Sequence, residues 1–519
     1  MNVADITRRF AGERPDHVAL KWAGGQAPGQ CTWRELDERT SRIAQALRAS
    51  GVVEGERVAF LDKNGPELLE VFYGAAKIGA VATPVNFRLA PAELREIVRD
   101  AQARLWIVHA EYAAVAAEVV EQLDTPVEVI VIGGAQGSYL EWLGAHPAED
   151  PHVPVTAGDV GLQLYTSGTS GRPKGVELTW ANLAASLSDF YEDVMGLDAD
   201  AVNLIVLPMF HIGGGGWAVA SHTVGATTII LRNPVPAVIL DVMERERVTH
   251  TTLAPALMKM IYDLPDVERR DIGALQAIFY GGSPIDDALL EGMLRTFGCG
   301  FYQAYGITET TGTCTILPPA DHDPHGPHRH RLRSCGRPRA HLQVRVVDPA
   351  TRVDVPDGRV GEFWLKGPTI MKGYWKQIEL TSEAVVDGWY RTGDAGYRDA
   401  DGYLYLQDRI KDMIVSGAEN IYPAEIENAL ASHPAVAESA VIGVPSERWG
   451  ETPKALVVLR AATSATGAEL IEHCRGRLAR YKCPTSVDFV EDLPRNPSGK
   501  VLKHVLRAAF WEGRGRGIS

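Results

Sequence analysis

Cysteine and long apolar runs are both scarce in this sequence. The six cysteines are scattered over 519 residues, with no pair at metal-ligand spacing and none of the density of a secreted disulfide scaffold. No run of about 18 uncharged apolar residues is available to span a bilayer, and residues 1–10 lack the apolar core of a signal peptide. These absences predict a cytoplasmic protein in a reducing compartment, with membrane contact limited to peripheral association.

A surplus of basic residues is missing as well. Lys and Arg number 52 against 66 Asp and Glu, which gives a formal net charge of −14. A surface with that charge repels a polyanion, so no nucleic-acid partner is expected. The balance reverses between Arg475 and Ser519, where ten basic residues stand against four acidic ones, and this local surplus suits an anionic ligand.

The length of 519 residues exceeds what one core supports, so two or more domains are expected. Predicted strands alternate with predicted helices from Thr32 to Tyr280, which indicates parallel pairing in layered α/β sheets. Short alternating strands between Gly336 and Leu406 predict an antiparallel β subdomain. The predicted fold class is α/β, with a large N-terminal domain over residues 1–410 and a small C-terminal α/β domain over residues 411–519.

The most informative segment of the sequence is a glycine-rich loop. An apolar strand around Leu162 and Leu164 runs into Thr166-Ser-Gly-Thr-Ser-Gly-Arg-Pro-Lys174. The glycines let backbone amides turn toward phosphate oxygens, the hydroxyls add donors, and Lys174 supplies a positive charge. The loop is not a Walker A motif, because Pro173 and Gly175 stand where that motif needs Gly and Ser or Thr. The pattern predicts a loop that cradles the phosphates of a nucleotide.

This loop resembles the signature loop of the adenylate-forming superfamily, which contains acyl-CoA synthetases, the adenylation domains of peptide synthetases, and luciferases. Within it, the chain is similar to bacterial fatty-acyl- and aryl-CoA ligases over nearly its whole length. The segments that resemble the further motifs of the family, in order, are Phe210–Gly214, Gly281–Pro284, Tyr305–Thr310, Tyr390–Asp394, Asp408–Asp412, Ser416–Glu427 and Pro494–Lys500.

The resemblance implies an ATP site with Mg²⁺. Glu309 and Thr166 would hold the metal, Tyr305 would face adenine, Asp394 would accept from the ribose hydroxyls, and Lys500 would be the adenylation lysine. The ATP-binding set implied is Thr166, Ser167, Gly168, Thr169, Ser170, Gly171, Lys174, Gly282, Ser283, Gln303, Ala304, Tyr305, Gly306, Thr308, Asp394, Arg409 and Lys500.

The resemblance also implies a second half-reaction with coenzyme A. In the family the C-terminal domain is mobile and swings about a hinge, which corresponds to Lys411, and this motion removes the adenylation lysine. Ser416, Gly417 and Trp449 would then contact CoA. The catalytic residues implied are Thr166, Glu309, Lys411 and Lys500.

The acyl pocket is expected, by position in the family, to carry small or apolar residues. Those implied are His211, Trp217, Gly282, Gly306, Thr311 and Gly312. Since Lys and Arg are absent from this set, an acid with a second charge would be buried without a partner. We therefore expect a hydrophobic acid, with medium-to-long fatty acids favoured over aryl acids such as cinnamates. A homodimer is left open as the oligomeric state.

Other interpretations remain open at this point. The acceptor could be a carrier protein instead of CoA, or the reaction could stop at acyl-AMP. A nucleotide-binding regulator without turnover would be expected to lose Glu309 or Lys500, and both are present. Three residues depart from the usual motifs, namely Ser170, Trp180 and Ala418. The four histidines between Asp321 and His330 are interpreted as a solvated loop with at most adventitious metal.

Overall fold

The computed structural model describes most of the chain. The described residues are 3–24, 28–133, 139–167, 173–187, 195–282, 285–409, 412–416, 419–446, 450–478, 480–495 and 499–512. They divide into two compact units, the first comprising Met1–Gln343 and Lys366–Tyr390, and the second Val344–Leu365 and Arg391–Ser519. The predicted boundary between residues 410 and 411 falls within the second unit, and both residues lie outside the described ranges, so the predicted domain division stays a prediction.

The helices found in these ranges are α1 Ala4–Glu13, α2 Trp33–Ala49, α3 Pro66–Ala76, α4 Pro91–Ala101, α5 Ala113–Glu121, α6 Tyr139–Gly144, α7 Trp180–Leu187, α8 Ile212–Thr223, α9 Pro236–Arg245, α10 Pro255–Tyr262, α11 Asp287–Phe297, α12 Ile378–Ala384, α13 Pro423–Ala431, α14 Gly467–Arg475 and α15 Lys503–Ala508. None of the described helices is both long enough and apolar enough to cross a membrane.

The strands are β1 Val18–Ala23, β2 Gly29–Thr32, β3 Arg57–Leu61, β4 Val81–Pro84, β5 Leu105–His109, β6 Glu128–Ile132, β7 Val160–Ser167, β8 Pro173–Thr179, β9 Val202–Ile205, β10 Thr227–Leu231, β11 His250–Leu253, β12 Ala277–Gly281, β13 Gly300–Ile307, β14 Gly312–Leu317, β15 Arg337–Pro338, β16 Gln343–Val347, β17 Gly361–Lys366, β18 Gly373–Tyr374, β19 Val385–Val386, β20 Trp389–Arg398, β21 Leu404–Arg409, β22 Ile414–Ser416, β23 Glu419–Ile421, β24 Val436–Ser446, β25 Gly450–Leu459 and β26 Ser486–Phe489.

The first unit contains two large sheets. The nine-stranded sheet has the order β15-β14-β13-β12-β11-β9-β10-β1-β2, and its strands are parallel from β13 to β1. The seven-stranded sheet has the order β18-β8-β7-β4-β3-β5-β6, and its strands are parallel from β7 to β6. The parallel pairing predicted from the alternation of strands and helices is therefore confirmed.

Helices cover these sheets in layers. One buried cluster combines residues of both sheets with α2, α3 and α8, a second covers the nine-stranded sheet with α9, α10 and α11, and a third covers the seven-stranded sheet with α4 and α5. Strand β3 shows why its residues after Arg57 are all apolar: Val58 and Phe60 belong to the first cluster, while Ala59 and Leu61 belong to the third. The layered α/β architecture agrees with the predicted fold class.

A local capping signal marks the start of α2. Helix α2 begins after Thr32, whose hydroxyl accepts a hydrogen bond from the Glu35 N–H at 3.3 Å. In return, the Glu35 carboxylate accepts from the Thr32 N–H at 2.8 Å. This reciprocal cap satisfies two amides that the first turn of a helix leaves without partners.

The second unit has its own sheets and core. Strands β16, β17 and β20 lie side by side, and β21 pairs antiparallel with β20, as the antiparallel subdomain requires. Further along the chain, β23, β22, β25 and β24 form a sheet to which β26 adds in parallel. Apolar residues of α13 and α14 are buried together with residues of β22, β24 and β25.

Candidate active site

The glycine-rich loop joins two strands of a hairpin. Strands β7 and β8 are antiparallel, and Thr166 lies directly opposite Lys174 in their register. The hairpin therefore brings the predicted metal-binding hydroxyl and the predicted phosphate-binding lysine to the same end. Of the predicted phosphate-binding set, Gly168, Thr169, Ser170 and Gly171 lie outside the described residues.

A polar network supports this hairpin from behind. The Tyr165 hydroxyl donates to Asp100 Oδ2 at 2.6 Å and accepts from Gln163 Nε2 at 2.9 Å. Burial and the Asp100 carboxylate both raise the pKa of Tyr165, so the phenol stays a neutral donor. A Cβ atom at Gly175 would lie 2.6 Å from Gln163 Nε2, so this glycine makes room for the network. Neither Tyr165 nor Gln163 was predicted to have this role.

Two parallel strands end side by side where the sequence predicts adenine binding. Gly281 at the end of β12 lies opposite Ala304 of β13, and Tyr280 lies opposite Gln303. Gly282 follows with φ +81°, a left-handed conformation that favours glycine, while Ser283 lies outside the described residues. The side-chain oxygen of Gln303 is buried and accepts no hydrogen bond from the described residues, which leaves an acceptor for a ligand amine.

The predicted metal ligand Glu309 sits in a single 3₁₀ turn, Thr308–Thr310. The Glu309 carbonyl accepts a hydrogen bond from the Met371 N–H at 2.8 Å. Thr311, with φ +54°, donates its hydroxyl to Thr369 O at 2.7 Å, and its carbonyl accepts from Ser186 Oγ at 2.7 Å. Contacts from two separate segments of the chain therefore fix the turn.

A tyrosine that sequence reasoning missed links this turn to the hairpin. The Tyr374 hydroxyl donates to Glu309 Oε1 at 3.1 Å, and Lys174 Nζ lies 5.0 Å from the centroid of the Tyr374 ring. Lys174 and Glu309 thus both contact Tyr374, although 135 positions separate them in the sequence. The Gly-Tyr-Trp segment at residues 373–375 carries no charge, so composition alone offered no signal.

An apolar cavity adjoins these elements. It contains about 850 Å³ of empty space, a figure that includes space open to solvent. No Lys, Arg, Asp or Glu occurs among the described residues that line it. Its lining consists of Val3, Leu68, Leu69, Phe72, Ala82, Pro84, Leu162, Leu164, Leu183, Ser186, Leu187, Met209, His211, Ile212, Gly213, Gly215, Gly216, Trp217, Val219, Phe279, Thr311, Gly312 and Thr313.

Four of the six predicted acyl-pocket residues line the cavity. His211, Trp217, Thr311 and Gly312 line it, whereas Gly282 and Gly306 are not among its lining residues and remain predictions. The contributions from α3 and β7 to the cavity were not predicted. Helix α3 is buried on nearly all sides, and this burial follows from the mostly apolar residues between Leu68 and Ala76, among which Glu70 is buried as well.

Trp180, which departs from the family pattern, has a packing role. Its indole lies against Gly161, where an added Cβ atom would be 2.4 Å from the ring, and its ring centroid is 6.1 Å from that of Phe72. Phe72 in turn lines the cavity. Trp180 therefore supports the cavity wall from behind.

In the second unit, Asp394 and Arg409 lie directly opposite each other on β20 and β21. Asp394 is buried, and the segment before it is anchored by Glu362, whose Oε1 accepts from the Gly393 N–H at 3.0 Å. The Thr392 hydroxyl donates to Phe363 O at 2.8 Å. These two predicted ATP-binding residues are thus neighbours across the paired strands.

The remaining predicted residues of this unit are placed only in part. Ser416, predicted to contact CoA, pairs with Gly450 across β22 and β25. Gly417, Trp449 and the predicted hinge residue Lys411 lie outside the described residues. Lys500 is exposed and follows Gly499, whose φ is +84° and whose carbonyl accepts from Arg495 at 2.8 Å.

The histidine-rich segment is not uniformly solvated, so that expectation was wrong for one member. His322 is buried, its Nε2 lies 2.9 Å from the Tyr280 hydroxyl, and its Nδ1 lies 2.9 Å from Pro318 O. Burial lowers the pKa of His322 to about 4. Across the described part of the chain, no three His, Cys, Asp or Glu side chains are grouped to hold a metal ion.

Comparison with known proteins gives a consistent result. A sequence model of AMP-binding enzymes matches residues 7–375, and one of the AMP-binding enzyme C-terminal domain matches residues 425–500. A fatty acid–[acyl-carrier-protein] ligase of Streptomyces coeruleorubidus is 39% identical over 493 residues, which are 94% of this chain and 93% of the relative.

Two further similarities extend over nearly the whole chain. A feruloyl-CoA synthase of an Amycolatopsis species is 38% identical over 495 residues, 95% of this chain and 96% of the relative. The solved structure of ATP-bound MatB from Rhodopseudomonas palustris is 30% identical and superimposes with a TM-score of 0.88, covering 98% of this chain and 99% of that one.

Proposed function

The chain belongs to the family of AMP-binding enzymes, and we propose that it is an acid–thiol ligase that activates a medium-to-long fatty acid with ATP and transfers it to coenzyme A. The observation that carries this proposal is the apolar cavity. Strand β7 contributes Leu162 and Leu164 to its wall and continues into Thr166, and Thr311 and Gly312 line it two and three positions after Glu309. A hydrophobic tail in the cavity would have its carboxylate near these polar residues.

Two displacements make up the reaction. In the first, a carboxylate oxygen attacks the α-phosphorus of ATP, the new O–P bond forms, and the bond to pyrophosphate breaks. In the second, CoA reacts as its thiolate after its proton has passed to solvent: the sulfur attacks the acyl carbon, the C–S bond forms, the C–O bond to AMP breaks, and AMP leaves with the electron pair. The residues of this chain must position the phosphates and offset their charge, which we assign to Lys174 and Lys500.

We assign Mg²⁺ to Glu309 and Thr166. Glu309 and Thr166 supply a carboxylate and a hydroxyl, which are the hard oxygen ligands that this ion prefers. Mg²⁺ commonly takes its other ligands from substrate phosphates and water, so a set of only two protein groups fits it. When bound, the metal would neutralise charge that develops on the phosphates.

An aryl acid is the second candidate substrate. Trp217 and Phe279 present a stacked aromatic pair to the cavity, with ring centroids 5.1 Å apart. A flat ring can stack against such a surface, and the similarity to a feruloyl-CoA synthase favours this alternative. The similarity to a fatty acid–[acyl-carrier-protein] ligase likewise keeps a carrier protein as the alternative acceptor.

The proposal is tested by pyrophosphate release from ATP with octanoate or ferulate as the acid. Each acid is assayed alone, with CoA, and with a phosphopantetheinylated acyl carrier protein. We expect release to depend on the acid and to accelerate with CoA. Acceleration by the carrier protein alone would establish the alternative acceptor, and the absence of acid-dependent release with both acids would contradict the proposed substrate class.

A further inference from the structure

We propose that Tyr374 is a positioning residue for the Glu309 carboxylate and that it couples this carboxylate to Lys174. The inference rests on the proposed adenylation function, because it concerns the groups assigned there to Mg²⁺ and to the phosphates. It adds a residue that belongs to none of the motifs on which the family resemblance depends.

The main chain around Tyr374 is held independently of its hydroxyl group. The Tyr374 N–H donates to Thr381 Oγ1 at 2.9 Å, and Tyr374 pairs with Val176 on the strand that carries Lys174. The next residue, Trp375, donates its N–H to Gly175 O at 2.7 Å and its indole N–H to Asp100 O at 2.9 Å. The main chain from which the Tyr374 ring extends is therefore fixed beside the hairpin.

The side chain of Tyr374 contacts a carboxylate through its hydroxyl group and an ammonium group through its ring. Its hydroxyl donates to Glu309 Oε1, and the ammonium group of Lys174 lies over its ring within the range of a cation–π interaction. A hydrogen bond to an ionised carboxylate is stronger than one between neutral groups. The phenol thus fixes the orientation of one carboxylate oxygen, while the ring sets the position of the lysine.

Such an arrangement would orient the Glu309 carboxylate for binding a metal ion. Carboxylates that bind metals are commonly oriented by hydrogen-bond donors behind them, and loss of such a donor typically weakens metal affinity about 10- to 100-fold. Tyr374 is 6% exposed, so water cannot readily replace its hydroxyl as the donor. Removing the hydroxyl should therefore weaken the metal-dependent part of ATP binding.

Calorimetric titration of the full chain with ATP tests this inference, once with Mg²⁺ and once with EDTA. Tyr374→Phe keeps the ring under Lys174 and loses only the hydroxyl. We expect it to weaken MgATP binding roughly 10-fold or more, with ATP binding in EDTA and the thermal midpoint nearly unchanged. In a Glu309→Gln background the same substitution should have no further effect, because its partner is gone.

Tyr405→Phe is the matched control. It also removes a phenol-to-carboxylate hydrogen bond of 3.1 Å, to Asp399 Oδ2, but at a place without an assigned role, and it should leave both titrations unchanged. Wild-type MgATP affinity in Tyr374→Phe, or an equal loss with Mg²⁺ and with EDTA, would overturn the inference while leaving the ligase assignment intact. A wild-type protein that neither binds MgATP nor releases pyrophosphate with any acid would overturn both.

Discussion

The indole ring of Trp217 stacks on the phenyl ring of Phe279, with centroids 5.1 Å apart and planes inclined by 15°. Asn203 Oδ1 accepts the indole N–H of Trp217 at 2.7 Å, so the polar atom of the indole is satisfied within the protein. Both aromatic residues line the cavity and present apolar surface to it. This wall is suited to a hydrophobic tail and offers no partner to a charge.

Gly216 should determine how long a tail the cavity accepts. An added Cβ atom at this position would meet only Ile212, at 3.5 Å, so packing does not require glycine there, and glycine inside a helix costs about 0.5–1 kcal/mol relative to alanine. Gly216→Leu should place a side chain in the cavity and displace two or three methylenes, worth about 2 kcal/mol. We expect kcat/KM for palmitate to fall roughly 30-fold relative to butyrate.

Gly215→Ala is the control for this substitution. A Cβ atom at Gly215 would lie 2.6 Å from Met209 O, so alanine should lower the thermal midpoint instead of changing the preferred chain length. An unchanged ratio of palmitate to butyrate in Gly216→Leu would show that this face of α8 does not contact the acyl tail.

Lys500→Ala should impair adenylation selectively. Its cation is assigned to the charge that builds at the α-phosphorus, so acyl-AMP formation should fall about 100-fold or more. Thioester formation from supplied acyl-AMP should change little. Lys503→Ala, which removes a lysine paired with Glu427 at 2.9 Å, provides the comparison and should spare adenylation. Equal losses in both half-reactions of Lys500→Ala would indicate a structural role.

Strand ends and helix caps were accessible from the sequence because they depend on neighbouring residues. Thr32 and Glu35 form their cap within four positions, and Gly281 ends a strand of uninterrupted apolar residues. Parallel pairing then places Gly281 beside the predicted ATP-binding residue Ala304, so the proximity of these two segments follows from topology.

Contacts between distant segments could not be predicted in this way. Tyr374 contacts Glu309, which is 65 positions away in the sequence. Phe72 lines the cavity from α3, and the apolar residues of this helix are like those of any buried helix. The histidine-rich segment shows the same limit: His322 has a polar, proline-broken neighbourhood in sequence, yet it packs against Tyr280 in the core. Composition describes a segment, whereas burial depends on what packs against it.

The burial of His322 predicts a pH effect on stability. Its pKa is lowered to about 4, while an unfolded histidine titrates near 6.5, so the unfolded chain binds the additional proton between these values. The stabilising contribution is therefore present above pH 6.5 and is lost as the pH falls toward 4, and by pH 5.0 the loss is about 2 kcal/mol.

His322→Gln should remove this dependence. We expect the urea midpoint of the wild-type protein to fall further between pH 7.5 and pH 5.0 than that of the variant. His325→Gln is a suitable control, because the His325 side chain is 79% exposed and should leave the wild-type dependence intact. Identical pH dependence in wild type and His322→Gln would contradict a buried neutral imidazole.

The most direct test of the account compares kcat/KM for acetate, octanoate, palmitate, a cinnamate and succinate in the ATP- and CoA-dependent reaction. Each methylene buried in the cavity should contribute about 0.8 kcal/mol, and the second carboxylate of succinate would be buried without a cation among the described lining residues. We predict that octanoate or palmitate exceeds acetate by at least about 100-fold, with succinate inactive. A preference for acetate or succinate would contradict the assignment of this cavity to a hydrophobic acid.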